Sequence, residues 1–277
     1  MILVTGATGN IGTALLRDLH LRGAAPVRGL TRDAGRAAFP EGIEAVEGDL
    51  AQPGSLKAAL KGVRSLFLLP GMGAEQDVLA AARQAGVEHV VLVSSITVQT
   101  HPSLPAAGAN LAVERLLKDS GMAWTILRPT QFASNTLWWA QSIREQGVVR
   151  APYADIGLPA IHPADIAAVA CAALTEPGHR GRTYALTGPE RITVRRQVAA
   201  IAAALGREVA LVEISRDEAH RQMAPFMGDE TADAVLDLMG GDVNDELLTV
   251  RDTVPQVTGS PARSFQQWAS ENRAAFR

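Results

Sequence analysis

The sequence predicts an α/β protein built on an open, doubly wound parallel sheet, and three observations support this class. Short β-branched segments alternate with helical patterns over the first two thirds of the 277 residues. The apolar run His89–Val93 is too short for a helix and too continuous for a half-exposed strand, which is typical of a strand buried on both faces. Apolar residues make up 47% of the chain, enough for a large core in one or two domains.

Six strands are predicted in this first part, and helices separate most of them. The strands cover residues 2–4, 27–31, 43–47, 63–69, 89–93 and 124–127. The helical segments cover residues 10–22, 53–61, 74–85 and 108–119. Because parallel strands need a crossover between them, this order predicts consecutive βαβ units.

After Pro129 the alternation stops, and mostly helical patterns follow. Helices are predicted at 131–146, 163–175, 193–205, 215–227, 230–239 and 264–275, and strands at 182–186 and 208–214. We therefore expect a sheet domain over 1–130 and a small, mostly helical lobe over 131–277, part of whose strands join the main sheet.

Charge and cysteine usage exclude several classes of function. The formal net charge is −3 and the sequence pI is about 6.1, whereas a surface that follows nucleic-acid phosphates usually carries a basic excess. No apolar run approaches the roughly 18 residues of a membrane span. The single cysteine, Cys171, excludes an internal disulfide framework, and the histidines lack the spacing of metal ligands, so we expect no metal site. Residues 1–5 form a predicted strand with no basic segment before it, so we expect a cytoplasmic protein without a secretory signal.

A glycine-rich turn follows the first strand and opens the first helix. Its sequence is Gly-Ala-Thr-Gly-Asn-Ile-Gly over residues 6–12. A pyrophosphate needs backbone N–H donors at close range and the positive end of a helix dipole. Gly6 allows the tight turn, Gly9 removes a side chain that would collide with the phosphates, and Gly12 lets the helix pack on the strand. This placement favours a dinucleotide site over a plain turn without a ligand, with contacts from Gly6, Thr8, Gly9, Asn10, Ile11 and Gly12.

Cofactor choice depends on the end of the second strand. NAD-preferring sites usually place a carboxylate there for the ribose hydroxyls, but this chain has Arg32, and Asp33 comes only after it. A guanidinium binds phosphate through two parallel hydrogen bonds and keeps its charge. We therefore expect NADP(H) as the preferred cofactor, held at its 2′-phosphate by Arg32 with help from Arg28 or Arg36, and NAD(H) as the alternative. The other interpretation of Arg32 is a solvated loop charge.

Two further turns lie at the carboxyl ends of predicted strands, where ligands of open α/β sheets collect. Asp49 and Leu50 follow the third strand, where a carboxylate can accept a hydrogen bond from the adenine amino group. Leu69 and Pro70 follow the fourth strand, where a rigid backbone can line the nicotinamide ribose. All four can also be ordinary turn residues.

The chain resembles the short-chain dehydrogenase/reductase superfamily, in its atypical NmrA-like branch. The resemblance extends over nearly the whole chain and rests on the glycine turn and on residues 30–33, 48–50, 93–95, 125–129, 163–167 and 184–190. It implies a Rossmann-type domain, NAD(P) binding and a C-terminal substrate lobe. Members of this branch include quinone and triphenylmethane-dye reductases, enzymes of secondary metabolism, and proteins that bind the dinucleotide only as redox sensors.

One departure from the superfamily concerns its acid–base pair. Most members carry Tyr-x-x-x-Lys on the helix after the fifth strand, where the ammonium lowers the tyrosine pKa and holds the ribose. This chain has Ala106 and Asn110 at those positions, and neither Tyr153 nor Tyr184 has a lysine four residues later. The usual alcohol–ketone mechanism is therefore disfavoured, although Asn110 can still hydrogen-bond a ribose or a water.

Hydride transfer needs little from the protein beyond orientation and exclusion of water. A strong acid is dispensable when the acceptor is a quinone or a cationic aromatic, because such systems delocalise the incoming charge. Ser95, at the end of the fifth strand, resembles the family's catalytic serine, and His101 is a loop imidazole suited to proton transfer. The alternatives are a strand-end cap for Ser95 and a solvated loop residue for His101. Ser94 and Pro129 are predicted to line the cofactor.

Four side chains are predicted to contact the substrate. In the family, the segment after the sixth strand flanks the nicotinamide, so the resemblance implies contacts from Phe132 and Asn135. Trp138 can stack on an aromatic ligand. Adjacent tryptophans on a helix point about 100° apart, so core packing is the alternative for Trp139. Met72 is a flexible apolar candidate, for which core packing is also the alternative.

These observations predict an NADP(H)-dependent oxidoreductase that transfers a hydride to a quinone-like or polycyclic aromatic small molecule, with secondary metabolism as one setting. The alternative is a non-catalytic NAD(P)-sensing regulator, since an intact glycine turn without the Tyr–Lys pair fits both. A sugar-nucleotide or isomerase-like activity is the third candidate, but it usually needs the missing tyrosine. We expect a small aromatic partner, no direct contact with nucleic acid or membrane, and a monomer or homodimer.

Overall fold

The computed structural model describes residues 1–24 and 26–277. In chain order, the strands are β1 (Ile2–Val4), β2 (Val27–Thr31), β3 (Glu44–Glu47), β4 (Ser65–Leu68), β5 (His89–Val93), β6 (Ala123–Pro129), β7 (Val148–Ala151), β8 (Gly157–Pro159), β9 (Arg182–Leu186), β10 (Arg191–Thr193) and β11 (Ala210–Glu213). The α-helices are α1 (Asn10–Leu21), α2 (Glu75–Gln84), α3 (Thr97–Thr100), α4 (Pro105–Asp119), α5 (Ala140–Gln146), α6 (Pro163–Thr175), α7 (Val194–Leu205), α8 (Arg216–Met227), α9 (Asp229–Leu236), α10 (Asp245–Leu248), α11 (Thr253–Thr258) and α12 (Phe265–Glu271).

The doubly wound parallel sheet predicted from the sequence is confirmed. Within the described residues it has seven strands in the order β3-β2-β1-β4-β5-β6-β9, and all neighbours run parallel. The order reverses at β1, because β2 and β3 lie on one side of it and β4 on the other. Ligands of such sheets bind outside the carboxyl ends of the strands at this reversal.

Burial explains why these segments form strands and helices. All five residues of β5 are buried, as its continuous apolar run predicts. On α1 the buried side chains include Ile11, Leu15 and Leu19, which recur at helical spacing on one face. Full burial of each such side chain stabilises the fold by roughly 1.5–3 kcal/mol. The apolar sequence patterns of β5 and α1 therefore predict which side chains form the core around the sheet.

The chain divides into two compact units. The first contains Met1–Pro129, Pro163–Leu186 and Thr253–Ser260, and so holds the whole main sheet. The second contains Thr130–His162, Thr187–Asp252 and Pro261–Arg277. The strand predicted at 182–186 is present as β9 and pairs with β6, with Leu127 opposite Tyr184. The roles predicted for 1–130 and 131–277 stay predictions.

The second unit has its own core and two small sheets. β7 pairs with β11 in parallel, and β8 pairs with β10 antiparallel. Trp268 is buried, with its ring centroid 5.4 Å from that of Phe265 and 6.1 Å from that of Phe276. Val198 and Ile201 of α7 pack into the same cluster.

Several predicted helices are shorter or tighter than expected. Residues 53–61 form only a 3₁₀ helix at Pro53–Lys57, and 131–146 begins as a 3₁₀ helix at Ala133–Trp139 before α5. The helix predicted at 230–239 is α-helical only to Leu236 and continues as a π-helical segment, Asp237–Gly241, in which Gly240 has non-helical angles of φ 163° and ψ −12°. At the C-terminus α12 is followed by a separate 3₁₀ turn, Arg273–Phe276. Among the described residues, no helix is both long enough and apolar enough to cross a bilayer.

Candidate active site

The glycine turn lies at the carboxyl end of β1, directly before α1. Gly6 has φ +60°, in the left-handed region that favours glycine. A Cβ atom on Gly12 would lie 2.1 Å from the Gly6 carbonyl oxygen, so this position admits glycine only. α1 begins at Asn10 with no side-chain cap, and its first turn has no acidic residue. An external anion can therefore satisfy the first N–H groups of α1.

The other predicted contacts in this turn divide by burial. Thr8, Gly9 and Asn10 are exposed, and the Gly9 N–H donates to the Gly6 carbonyl at 2.9 Å. Ile11 is buried in the core, so its side chain cannot bind a phosphate. Only the backbone of Ile11 fits the predicted role.

The loop after β4 lies against the glycine turn. The Leu69 N–H donates to Thr5 Oγ1 at 2.9 Å, and a Cβ atom on Gly6 would lie 3.0 Å from the Leu69 side chain. Leu69 and Pro70 are both half-buried. The reversal of strand order therefore brings these two predicted cofactor loops together.

Glu75 organises the rest of this loop, a role that the sequence does not predict. Its Oε1 accepts hydrogen bonds from the backbone N–H groups of Gly71, Met72 and Gly73 at 2.7, 3.0 and 3.3 Å. Burial raises the pKa of Glu75, but these N–H bonds outweigh it and hold the pKa below its ordinary value. Met72 is 56% exposed, so the core-packing alternative for it is wrong.

The three arginines considered for the 2′-phosphate have different partners. Arg28 is not available, which corrects its predicted helping role: its Nε donates to Glu44 at 2.6 Å and its Nη1 donates to the Lys61 carbonyl at 2.6 Å. Arg36 lies 3.5 Å from Asp33. Arg32 is exposed and has no ion-pair partner within residues 1–24 and 26–277. Arg32 is therefore the arginine of these three that can bind a phosphate without breaking an existing ion pair.

Asp49 and Leu50 make the contacts of a structured turn. The Asp49 carboxylate accepts from the Ala51 N–H at 3.0 Å, and the Asp49 N–H donates to Ser55 Oγ at 2.9 Å. Leu50 packs against the core of the first unit. One carboxylate oxygen of Asp49 thus supports the turn, and its contact with adenine stays a prediction.

A buried ion pair ties together the ends of β5 and β6. Arg128 Nε and Nη2 donate to the two carboxylate oxygens of Glu114 at 2.9 and 2.6 Å. Ser94 Oγ donates to Glu114 at 2.7 Å, and Arg128 Nη1 donates to Gln99 at 3.3 Å. The Glu114 side chain is completely buried. The hydroxyl proton of Ser94 is thus engaged within the protein, which leaves only its lone pairs for the predicted cofactor contact.

The charge on Glu114 follows from this pairing. Burial alone would raise the pKa of Glu114, since it penalises the charged form. Hydrogen bonds from Arg128 and Ser94, with the positive charges of Arg128 and Lys118, lower the pKa overall. Glu114 is therefore ionised at neutral pH, opposite a charged guanidinium.

Ser95 and His101 flank the short helix α3. Ser95 Oγ accepts from the Thr97 N–H at 3.2 Å and lies 2.8 Å from Thr97 Oγ1, so the predicted strand-end cap is present. Ser95 as a whole residue is half-buried, unlike the buried Ser94. His101 is 6% exposed, and its Nδ1 lies 2.9 Å from Thr100 Oγ1. His101 is therefore not the solvated loop residue of the alternative interpretation.

The start of α4 carries small and amide side chains. Asn110 Nδ2 donates to the Ala106 carbonyl at 2.9 Å, one turn before Glu114 on the same helix. Tyr184 lies on β9, where its hydroxyl is 2.8 Å from His179 Nδ1. Burial raises the pKa of Tyr184. This phenol is therefore a poor replacement for an activated tyrosine.

Residues 130–162, directly after β6, belong to the second unit, whereas Pro129 is buried at the end of β6 in the first. Trp138 is 67% exposed, and Trp139 packs against the core of its unit, so the two rings diverge as predicted. Phe132 is half-buried and Asn135 is exposed. That Met72, Phe132, Asn135 and Trp138 share one substrate site stays a prediction.

Thr130 carries an unexplained polar atom. It is 3% exposed, and its Oγ1 has no hydrogen-bond partner among the described residues. Leaving a buried hydroxyl unpaired costs about 1–3 kcal/mol, so such atoms usually mark a bound water or ligand. The sequence gives no signal for this residue beyond its position after the Arg-Pro end of β6.

Comparison with known proteins decides the family. The sequence profile of the family described as NAD(P)H-binding matches residues 6–177. The chain belongs to this NAD(P)H-binding family. The matched part includes the glycine turn, Arg32, the Glu114–Arg128 pair and Ser95.

Several proteins of similar sequence are reductases. The (4-alkanoyl-5-oxo-2,5-dihydrofuran-3-yl)methyl phosphate reductase of Streptomyces griseus is 40% identical over 281 residues, with 100% of this chain and 99% of the relative covered. The NAD(P)H azoreductase of Xenophilus azovorans is 38% identical over 289 residues, with the same coverage. A solved NADPH complex of an NADPH-dependent quinone oxidoreductase from Escherichia coli is 27% identical, with a TM-score of 0.80, 98% of this chain and 99% of that chain covered.

This member of the NAD(P)H-binding family is therefore an NAD(P)H-dependent oxidoreductase. Its predicted cofactor class and its predicted resemblance to the quinone-reductase group of NmrA-like proteins are confirmed. The close approach of the Gly6 and Gly12 backbones and the uncapped start of α1 fit the cofactor, because a dinucleotide needs close backbone approach and free N–H donors.

Proposed function

We propose that this oxidoreductase reduces an electron-poor, conjugated small molecule of the quinone-like or polycyclic aromatic class. The observation that carries the proposal is the start of α4, where Ala106 and Asn110 stand in place of a phenol and an ammonium. Without a strong acid, the acceptor must stabilise the incoming charge itself. Bound NADPH would supply the hydride.

The names of the relatives support this class. An azo compound, a quinone and a dihydrofuranone that carries an alkanoyl group are all conjugated systems. In each, the electron pair that arrives with a hydride can move onto oxygen or nitrogen. The present chain is similar enough to these reductases to be proposed for the same kind of acceptor.

The residues of the first unit have distinct proposed roles. The turn around Gly6, Gly9 and Gly12 holds the pyrophosphate at the start of α1. Arg32 binds the 2′-phosphate and favours NADPH over NADH. Ser95 donates a hydrogen bond that orients the acceptor, and His101, held by Thr100, is the candidate for relaying a proton from solvent.

The test is turnover by the purified protein. NADPH is mixed with a panel of quinones, azo compounds and cationic triphenylmethane dyes, and loss of reduced-cofactor absorbance is followed. We expect turnover with at least one conjugated acceptor, and none with a Gly12→Val variant whose side chain would collide with the Gly6 backbone. Tight NADPH binding without turnover of any acceptor would favour the alternative, a non-catalytic dinucleotide sensor.

A further inference from the structure

Ser95 and Thr97 form a short hydrogen-bond chain at the carboxyl end of β5. Thr97 Oγ1 lies 2.8 Å from Ser95 Oγ, and the Thr97 backbone N–H donates to the same oxygen at 3.2 Å. Thr97 is 8% exposed, whereas Ser95 is half-buried. Ser95 Oγ therefore accepts from Thr97 on one side, and on its open side its own proton has no acceptor within residues 1–24 and 26–277.

Counting hydrogen bonds determines what the open side offers. A hydroxyl has one donor and two acceptor lone pairs. The Thr97 N–H fills one lone pair of Ser95. When an electron-rich ligand atom faces Ser95, the Ser95 proton points to that atom, and the second lone pair accepts from Thr97 Oγ1–H. The bond from Ser95 is then strengthened, because donors in a chain polarise one another.

We propose that Thr97 is a positioning residue that fixes Ser95 as a hydrogen-bond donor to the substrate. The acceptor must then place a carbonyl oxygen or an azo nitrogen against Ser95, conjugated with the atom that takes the hydride. This rests on the proposed function. Ser95 keeps its own proton throughout: the acceptor gains one hydride from NADPH and one proton from solvent, which balances a two-electron reduction.

A hydrogen-bond donor at Ser95 distinguishes carbonyl and azo acceptors from cationic dyes, which the proposed function does not distinguish. A quinone, an azo compound or an enone develops negative charge on oxygen or nitrogen as it is reduced, and a preorganised donor stabilises that charge. A cationic triphenylmethane dye loses its charge when its central carbon is reduced, so no atom needs a donor there. The chain is therefore matched to carbonyl and azo acceptors.

The test compares three threonine variants after wild-type turnover of a naphthoquinone has been measured. Absence of turnover with every acceptor of the panel would refute the proposed function itself, and this proposal with it. Thr97→Val removes the side-chain donor with little change in volume, and Thr97→Ser retains it. Thr175→Val is the matched control, since Thr175 Oγ1 also makes a hydrogen bond, to the Cys171 carbonyl at 2.7 Å, at the end of α6.

Thr97→Val should lower kcat for the quinone about tenfold with an unchanged Kd for NADPH, as expected for one hydrogen bond acting on a charged centre. Ser95→Ala should lower kcat about 100-fold. When Thr97→Val is added to Ser95→Ala, kcat should fall little further, because Thr97 acts through Ser95. Thr97→Ser and Thr175→Val should stay near the wild-type rate.

A binding measurement adds a readout that does not depend on turnover. The oxygen of 4-nitrophenolate resembles the reduced acceptor, so its affinity should weaken about fivefold in Thr97→Val and stay constant in Thr175→Val. The proposal would be overturned if Thr97→Val lowered kcat equally in the presence and absence of the Ser95 hydroxyl. It would also be overturned if Thr97→Ser lowered kcat as much as Thr97→Val. A wild-type kcat/KM that favours a cationic triphenylmethane dye over the quinone would also contradict it.

Discussion

Replacing Glu114 with glutamine should destabilise the protein strongly. Glutamine keeps the shape of the side chain but removes the charge that Arg128 faces. It also presents an NH₂ group to a guanidinium that has donors only. The Glu114 side chain is completely buried and that of Arg128 is 16% exposed, so water cannot replace the lost partner fully.

The size of the effect follows from this geometry. Breaking a buried ion pair by removing one partner costs about 3–5 kcal/mol, because a buried charge is left uncompensated. For a protein of this size, roughly 2–4 °C of Tm accompany each kcal/mol, so we expect a fall of roughly 10 °C. Because the pKa of Glu114 in the folded protein lies below its ordinary value of 4.5, the contribution is fully present above that value and is lost as the pH falls through the lower, native pKa.

The assay is thermal unfolding followed by circular dichroism at neutral pH. Glu88→Gln is the matched control, because Glu88 also pairs with an arginine, Arg64, at 2.5 Å, but both side chains are exposed. That substitution should have a much smaller effect. Equal shifts in Tm for Glu114→Gln and Glu88→Gln would refute the reasoning.

Two further predictions concern the cofactor and acid stability. Arg32→Ala should weaken NADPH binding about 10–100-fold, measured by calorimetry, while NADH binding changes little. Equal losses for both cofactors would remove the assigned role of Arg32. Burial, with the charges of Arg180 and His179, lowers the pKa of His89 to about 4 in the folded protein. Between about pH 4 and 6.5 the unfolded chain therefore binds more protons at His89 than the folded protein does. Stability should therefore fall by about 3 kcal/mol on acidification through that range. Urea unfolding of His89→Gln should lack this component, and an unchanged pH dependence would contradict the assignment.

Local patterns predicted most of the main sheet. β5 is a continuous apolar run, and the glycine turn combines a strand, a turn and a helix within a dozen residues, so both could be predicted without any long-range contact. β8 and β10 have three residues each, and β7 has four with an arginine among them. Such short strands have too little periodicity to be distinguished from loops.

Two missed parts of the candidate site are ion pairs between residues on different elements. Arg28 is one of the two arginines predicted to assist Arg32 at the phosphate, but strand register places it opposite Glu44, which no local pattern reveals. Glu114 lies on α4 and Arg128 on β6, so their contact depends on how these two elements pack. The hydrogen bonds from the loop after β4 to the Glu75 carboxylate had a weak local signal. This signal is a carboxylate that follows two glycines at the start of a helix.

The first unit is assembled from three separated stretches of chain. α6 and β9 join it only after the chain has passed through part of the second unit. A gene fragment that ended at residue 130 would therefore encode a sheet without its edge strand beside β6 and without the helix that packs on α1. Grafting a foreign lobe would require several junctions to be kept at once. Point substitution, rather than cassette exchange, is thus the easier route by which this architecture can diversify.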